Sequence, residues 1–183
     1  MGRSSQRRIL KDIHEGQRKA YEAVICQNYK SIYRFLVYLT DDVSIAEDIT
    51  QETFTSAWES IRSFKERASI GTWLHKIAYH KFIDSKRKLK CTAEMMHKLE
   101  GNHLNITVSV NPLHQLAADE SLRFLYDGIR SLESAERTVI VLHYVQGLSF
   151  REMAKVLDEP RGTVKWRTNK ALKRLRTFLT GRV

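Results

Sequence analysis

The residues with the clearest chemical potential are lysines and arginines near the end of the chain. Residues 161–183 hold eight Lys or Arg and no Asp or Glu. Such a concentration of cations suits phosphate oxygens, and side chains at the start of a helix can reach base edges in a DNA groove. The stretch therefore indicates nucleic-acid binding. An ordinary solvated basic helix is the alternative, and the missing acids argue against it.

A second basic stretch differs from the first because it contains aromatic residues. Residues 62–90 hold nine Lys or Arg against two acids, and His75, Tyr79 and His80 lie among them. Cations meet phosphates and rings stack on unpaired bases, so this combination is typical of single-stranded DNA binding. Trp73 is interpreted as a core residue. The two histidines lack the further ligands that a metal site requires.

An acidic segment interrupts this basic chain, with six acids and no base between residues 41 and 61. One interpretation is a solvated helix face, since acids are favoured near a helix N-terminus. Another is a docking patch for a basic protein surface. Asp48 and Glu52, one helical turn apart, could also bind Mg²⁺ in an enzyme, but no third carboxylate from another segment is identifiable.

The first basic stretch is predicted to be the second helix of a helix-turn-helix. Ser149 and Glu152 form a capping box, which starts a short amphipathic helix. Asp158-Glu159-Pro160 then ends that helix, because Pro disfavours helix before it and Asp tolerates a left-handed conformation. The basic helix begins at Arg161.

Helical spacing of apolar residues recurs through most of the chain, from Tyr21 to Leu39 for example. Further helix starts are predicted from a capping box of Ser44 with Glu47 and from caps at Thr72 and Ser134, and Gly147 is predicted to end a helix. The predicted fold is all-α, with two small helical domains at residues 1–90 and 119–183 and a linker at 91–118. The C-terminal domain contains the helix-turn-helix.

Composition narrows the class of protein. The 183 residues are 42% hydrophobic and 28% charged, and a net charge of +10 favours a polyanionic partner. Cys26 and Cys91 are far apart and predict neither a disulfide framework nor a zinc site. No apolar run is long enough for a membrane span, and the first residues lack a signal-peptide core, so a cytoplasmic protein is expected.

Two blocks in this order resemble region 2 of the extracytoplasmic-function (ECF) sigma factors of bacterial RNA polymerase: IAEDITQETFTSAW (45–58) and TWLHKIAYHKFIDSKRK (72–88). The blocks at 132–157 and 161–176 resemble region 4 of that family. The resemblance covers nearly the whole chain outside the N-terminal tail and the linker. It implies a factor that binds core polymerase, recognises the minus-35 and minus-10 promoter elements and directs transcription initiation, without catalytic residues, metal or cofactor.

The resemblance also assigns partners to the three charged stretches. The acidic helix would dock on the coiled coil of the beta-prime subunit through Asp48, Gln51 and Glu52. The melted minus-10 element would be bound by Lys65, Arg67, Lys76, Tyr79, His80, Lys86 and Arg87. The minus-35 element would be bound in the major groove by Arg161, Thr163, Lys165, Trp166, Arg167, Asn169 and Lys170. An anti-sigma factor is a further partner that such proteins often have.

Three features depart from the family pattern. Trp166 and Asn169 are larger or less usual than the residues expected there, and His80 stands where the family commonly has Asn. Asp158-Glu159 replaces a usual Gly-Ile turn. These departures bear on the promoter sequence that is read.

A stand-alone helix-turn-helix regulator is the main rival, with residues 1–90 sensing a signal or forming a dimer. The sequence shows neither sustained heptads for a dimer seam nor a Gly-rich ligand cradle. We therefore expect a monomer when the protein is free. Its two domains are expected to have no fixed spacing of their own until core polymerase sets that spacing.

Overall fold

The computed structural model describes residues 3–64, 68–99 and 120–181. Within these ranges the chain is helical and contains no strand, which confirms the all-α prediction. A 3-10 turn at Ile61–Ser63 follows the third helix, and a π-helical turn at Val141–Val145 prolongs the sixth. The α-helices are α1 Arg3–His14, α2 Arg18–Thr40, α3 Val43–Ser60, α4 Ile70–Leu99, α5 Glu120–Ser131, α6 Ser134–Ile140, α7 Phe150–Leu157 and α8 Arg161–Thr180.

Helix α2 is the centre of the N-terminal domain because its apolar residues recur at helical spacing. Ile32, Phe35 and Leu36 are fully buried, and the helix packs on both α3 and α4. Burying one such side chain contributes roughly 1.5–3 kcal/mol. The hydroxyl of Tyr21 donates to the Phe54 carbonyl at 2.5 Å, which joins α2 to α3. Burial raises the pKa of Tyr21 to about 12.

Helix α3 begins earlier than the predicted capping box of Ser44 and Glu47. Its N-cap is Asp42, whose carboxylate accepts the N–H of Ile45 at 3.0 Å. A carboxylate at this position also interacts favourably with the positive end of the helix dipole. The prediction that Ser44 caps the helix was therefore wrong by two residues.

Two other predicted caps are also displaced. The Ser69 hydroxyl accepts the N–H of Thr72 at 3.0 Å, so Thr72 lies inside α4 instead of capping it. Ser134 is the first residue of α6, and Glu133 occupies the cap position without a side-chain cap bond. Neighbouring polar residues compete for such positions, and tertiary packing decides among them.

The prediction for Gly147 is confirmed. Its φ of +71° lies in the left-handed region, and Leu148 N–H donates to the Leu142 carbonyl at 2.9 Å across the turn. Glycine adopts this conformation without the steric cost that other residues incur. The turn directs the chain from α6 into the helix-turn-helix.

Helix α4 continues to Leu99, past residue 91 where the sequence predicted the linker to start. The rest of that linker, residues 100–118, lies outside the described residues. Helix α1 gives the N-terminal stretch a structural role, since Leu10 and Ile13 are buried in the hydrophobic core.

The two domains pack against each other, contrary to the expectation that they have no fixed spacing. Their buried apolar residues form one continuous cluster, and α4 lies along α7. The Ser31 hydroxyl of α2 also donates to the Gln146 side chain of the C-terminal domain at 2.6 Å. The sequence of each domain was amphipathic by itself and gave no sign of this contact.

The buried side chain of His75 makes the stability of this packing depend on pH. Its ring is 4% exposed and meets Phe35 edge-on at 5.2 Å, while Nδ1 lies 2.8 Å from the Gly71 carbonyl. Burial lowers the pKa of His75 because it penalises the charged imidazolium, and the hydrogen bond to Gly71 opposes this effect.

We expect acidification to destabilise the wild-type protein more than the His75→Gln variant. In the unfolded chain the imidazole takes up a proton near its ordinary pKa of about 6.5, whereas the folded chain resists protonation until lower pH. Stability is therefore present above about pH 6.5 and is lost below it, by at most about 1.4 kcal/mol per pH unit. Urea unfolding at about pH 7.5 and 5.5 measures the difference. Equal losses in both proteins would contradict this assignment.

Candidate nucleic-acid interface

The helix-turn-helix forms as the sequence predicted. The Ser149 N–H donates to Glu152 at 2.9 Å and the Ser149 hydroxyl accepts the Glu152 N–H, which completes the capping box. The Ser149 hydroxyl also lowers the pKa of Glu152. Asp158 ends α7 in the left-handed conformation, with φ 52° and ψ 38°. The chain then enters α8 after Pro160.

Helix α8 has a buried face and an outward face. Val164, Ala171 and Leu175 are buried against the rest of the domain. The opposite face carries Gly162, Trp166 and Asn169, which are spaced by four and then by three residues. The exposed residues of the set assigned to minus-35 binding are Arg161, Thr163, Lys165, Trp166 and Asn169.

Two of the assigned minus-35 residues are held by acids of their own domain. Arg167 pairs with Glu159 of the turn at 2.6 Å, and Lys170 lies 3.3 Å from Glu136. Arg167 therefore braces the turn between α7 and α8. Lys170 is tethered at one end of the outward face.

Glu136 is a functional candidate that the sequence prediction missed. Glu136 is 2% exposed. One of its carboxylate oxygens lies 3.3 Å from Lys170 and the other lies 2.6 Å from Arg174, which also reaches Glu133 at 2.9 Å. A buried carboxylate needs such partners, and these partners all project from α8. Glu136 thus fixes the orientation of α8 on α6. The sequence did contain a signal for this role, because Glu136 lies in the largely apolar α6 and the charged residues of α8 are all basic.

Helix α4 carries the second basic surface. Lys86 and Arg87 are exposed, with Arg87 3.2 Å from Asp84. Tyr79 is half-buried, and burial raises its pKa. His75 is enclosed in the core, so it is not part of an aromatic DNA-binding surface. Lys65 and Arg67 lie outside the described residues.

The middle of this surface faces the helix-turn-helix. Lys76 Nζ lies 2.5 Å from one Asp158 oxygen, and His80 Nε2 lies 3.2 Å from the other. One turn earlier, the Thr72 hydroxyl donates to Glu152 at 3.3 Å. Asp158 of the helix-turn-helix therefore covers Lys76 and His80 of α4.

A second set of polar contacts joins the domains at the end of α2. Asp41, in the left-handed conformation, accepts the Tyr126 hydroxyl at 3.0 Å and pairs with Arg130. Burial and this carboxylate raise the pKa of Tyr126 well above its ordinary value. Asp41 therefore belongs to the interdomain contact and not to an exposed acidic patch.

The predicted docking residues share one exposed face of α3. Asp48, Gln51 and Glu52 are all exposed there, and Lys81 of α4 approaches Glu52 at 3.6 Å. This ammonium group already partly neutralises the carboxylate that a Mg²⁺ site would use. Among the described residues no group of three or more potential metal ligands occurs.

The charge surfaces coincide with the parts of the chain that match known families. Residues 24–91 match the family model for Sigma-70 region 2, and residues 128–177 match that for Sigma-70 region 4. The chain is 30% identical over 181 residues to the ECF RNA polymerase sigma factor SigW of Bacillus subtilis, covering 93% of this chain and 94% of SigW. The chain belongs to the ECF sigma factors.

Another relative agrees with this assignment, and two solved structures share the fold. The ECF RNA polymerase sigma factor SigC of Mycobacterium tuberculosis is 31% identical over 163 residues, 86% of this chain and 82% of SigC. The fold is shared with the sigma factor RpoE of Bartonella quintana, solved with the anti-sigma factor NepR, at a TM-score of 0.71 and 22% identity over 88% of this chain and 97% of that one. It is also shared with CnrH, solved with the cytosolic domain of CnrY, at 0.72 and 20% over 97% and 99%.

This ECF sigma factor therefore recognises promoters through region 2 and region 4 and serves transcription initiation without being an enzyme. In the described part of the chain, helices with the length and apolarity of a membrane span are absent.

Proposed function

We propose that this sigma factor docks on core polymerase through Asp48, Gln51 and Glu52, binds the melted minus-10 element with α4, and reads the minus-35 element with the outward face of α8. The observation that carries the proposal is the separation of charge. One exposed acidic face lies on α3, whereas two basic surfaces lie on other helices, α4 and α8. A protein surface and DNA phosphates can thus be bound at the same time.

The domain division proposed from the sequence assigns core and minus-10 binding to residues 1–90 and minus-35 binding to residues 119–183. Lys76, Tyr79, His80, Lys86 and Arg87 are the described members of the minus-10 set. In the minus-35 set, Lys165, Trp166 and Asn169 face outward early in α8, which supports base contact. Arg161, Thr163, Arg167 and Lys170 contribute to positioning and backbone binding.

Two partners complete the proposal. Core polymerase works in the cytoplasm, and we place this sigma factor there. An anti-sigma factor is a further partner, supported by the solved complex of RpoE with the anti-sigma factor NepR, which shares this fold.

In vitro transcription tests the proposal directly. Core polymerase and the full chain are incubated with a pool of promoter fragments, and transcript starts are mapped. Starts that share minus-35 and minus-10 elements only when the chain is present support the proposal. Transcripts that do not depend on the chain would contradict it.

Reversing the docking charges should weaken binding to core polymerase at least about tenfold, which is roughly 1.4 kcal/mol. The variant is Asp48→Lys with Glu52→Lys, measured by titration against labelled core. Exposed ion pairs contribute about 0–1 kcal/mol, so losing the contact with Lys81 should leave thermal unfolding almost unchanged.

The matched control is Glu15→Lys with Glu22→Lys, which makes the same change in net charge. Both acids are exposed and pair with neighbours on the same stretch of chain, Glu15 with Lys11 and Glu22 with Arg18. This control should bind core as the wild type does. Equal losses in the two variants would show that net charge, and not the α3 face, governs docking.

A further inference from the structure

Trp166 is an unusual residue to find on the outward face of a DNA-reading helix. It is 61% exposed, the largest fraction among the exposed large hydrophobic residues of the described chain. Val164 and Thr168 on either side of it in sequence are buried, so α8 could not turn this ring inward without exposing its core residues. The ring is therefore accessible to a partner of α8.

The neighbours of Trp166 leave its ring projecting into open space. Gly162 lies four residues earlier on the same face, and a Cβ placed there would meet no atom within 4 Å. Lys170 lies four residues later, with its ammonium 5.5 Å from the ring centroid. Since Glu136 holds Lys170 at 3.3 Å, the cation restrains the ring from one side. The ring of Trp166 therefore projects from the helix surface, and Lys170 restrains its orientation.

The major groove offers few apolar features to such a ring. Each base pair presents donors and acceptors there, and the 5-methyl group of thymine is the apolar feature. An indole offers a broad apolar surface and a single N–H donor, with no acceptor for the amino groups of adenine or cytosine. Contact with a thymine methyl therefore suits its chemistry better than contact with adenine or cytosine amino groups.

Resting on the proposed minus-35 function of α8, we propose that Trp166 is a specificity-determining residue that contacts the 5-methyl group of a thymine in the major groove of the minus-35 element. The contact combines an apolar ring, restrained by Lys170, with room beside Gly162 for the approach of a base pair. Arg167 and Lys170 then serve orientation, because acids of the protein already hold them.

Replacing thymine by deoxyuridine tests this contact, because the substitution removes only the methyl group. The probe is a duplex selected by the core-bound full-length protein from a pool randomised across the minus-35 element. Each thymine in that element, on either strand, is replaced in turn, and binding of the holoenzyme is titrated. For the wild type we expect about a fourfold loss at one position, the equivalent of one buried methyl group.

Two variants make the test specific to Trp166. Trp166→Ala should bind the thymine and deoxyuridine duplexes equally, whereas Trp166→Phe, which keeps an apolar ring, should retain most of the difference. The helical content of each variant is checked by circular dichroism. A wild type insensitive to every replacement, or a Trp166→Ala variant as sensitive as the wild type, would overturn the inference.

A scrambled minus-35 element separates this inference from the proposed function. If scrambling abolishes binding but deoxyuridine has no effect, α8 reads the element without the methyl contact and only the inference on Trp166 fails. If scrambling has no effect, the minus-35 function and the inference fail together.

Discussion

Linking position 80 to position 158 should abolish promoter opening by the core-bound protein. The variant carries His80→Cys and Asp158→Cys in a background with Cys26→Ser and Cys91→Ser, so that a short bis-maleimide joins α4 to the turn of the helix-turn-helix. The linked protein should give no permanganate-reactive thymines at the minus-10 element. The same variant without the linker should still give them, reduced only by the loss of His80 from the minus-10 surface, which separates the effect of the link from that of the substitutions.

The physical reason is the distance between the two promoter elements. Their centres are about 25 base pairs apart, or roughly 85 Å at 3.4 Å per base pair. In the structure, Lys76 and His80 of α4 touch Asp158 at the edge of α7. The domains must therefore separate before both elements can be bound.

A link within one domain is the control. Lys11→Cys with Glu15→Cys, in the same background, joins exposed side chains near the end of α1 that are 3.7 Å apart in the wild type, without connecting the two domains. This protein should open promoters equally well with and without the linker. Normal opening by the protein linked at positions 80 and 158 would show that the observed packing is compatible with promoter binding.

Local structure was the part of the fold that the sequence predicted well. The capping box at Ser149, the left-handed Asp158 and the cap at Gly147 depend on residues a few positions apart, so their signals survive in the sequence. The caps of α3 and α4 were misplaced because several polar residues stood close together there. Asp42 and Ser69 took the positions assigned to Ser44 and Thr72.

Contacts between distant segments could not be predicted in this way. Lys76 and Asp158 are 82 positions apart, and nothing in either helix specifies the other as a partner. The same holds for Asp41, which was counted as part of an acidic docking patch but binds Tyr126. Side chains that look alike in sequence, such as Lys165 and Lys170, differ because only one of them meets a buried acid.

The free protein should be a monomer that binds duplex promoter DNA weakly, and core polymerase should raise its preference for promoter over random DNA by at least about a thousandfold. Gel shifts with and without core, on a mapped promoter and a scrambled duplex of equal length, measure the preference. Light scattering on the same samples gives the oligomeric state.

One helix-turn-helix offers too little discrimination to find promoters alone. It reads about four or five base pairs, each mismatch costs roughly 1–3 kcal/mol, and a genome presents about 10⁶–10⁹ competing sites. Repressors overcome this limit by binding as dimers. Here the second contact is proposed to come from α4 of the same chain, whose Lys76 and His80 face Asp158 in the free protein.

Core polymerase would remove two obstacles to specific binding. One is the short sequence that a single helix-turn-helix reads, and the other is the contact of Lys76 and His80 with Asp158. Docking through the α3 face would hold the N-terminal domain in place, and separation of α4 from the turn at Asp158 would free the basic surface of α4 for DNA. The second DNA contact then becomes intramolecular and gains a high effective concentration. If the protein alone bound the mapped duplex tightly and specifically as a dimer, the stand-alone regulator would be the better description. Weak binding that core converts into specific, strand-opening binding is the outcome that the packing of α4 against α7 requires.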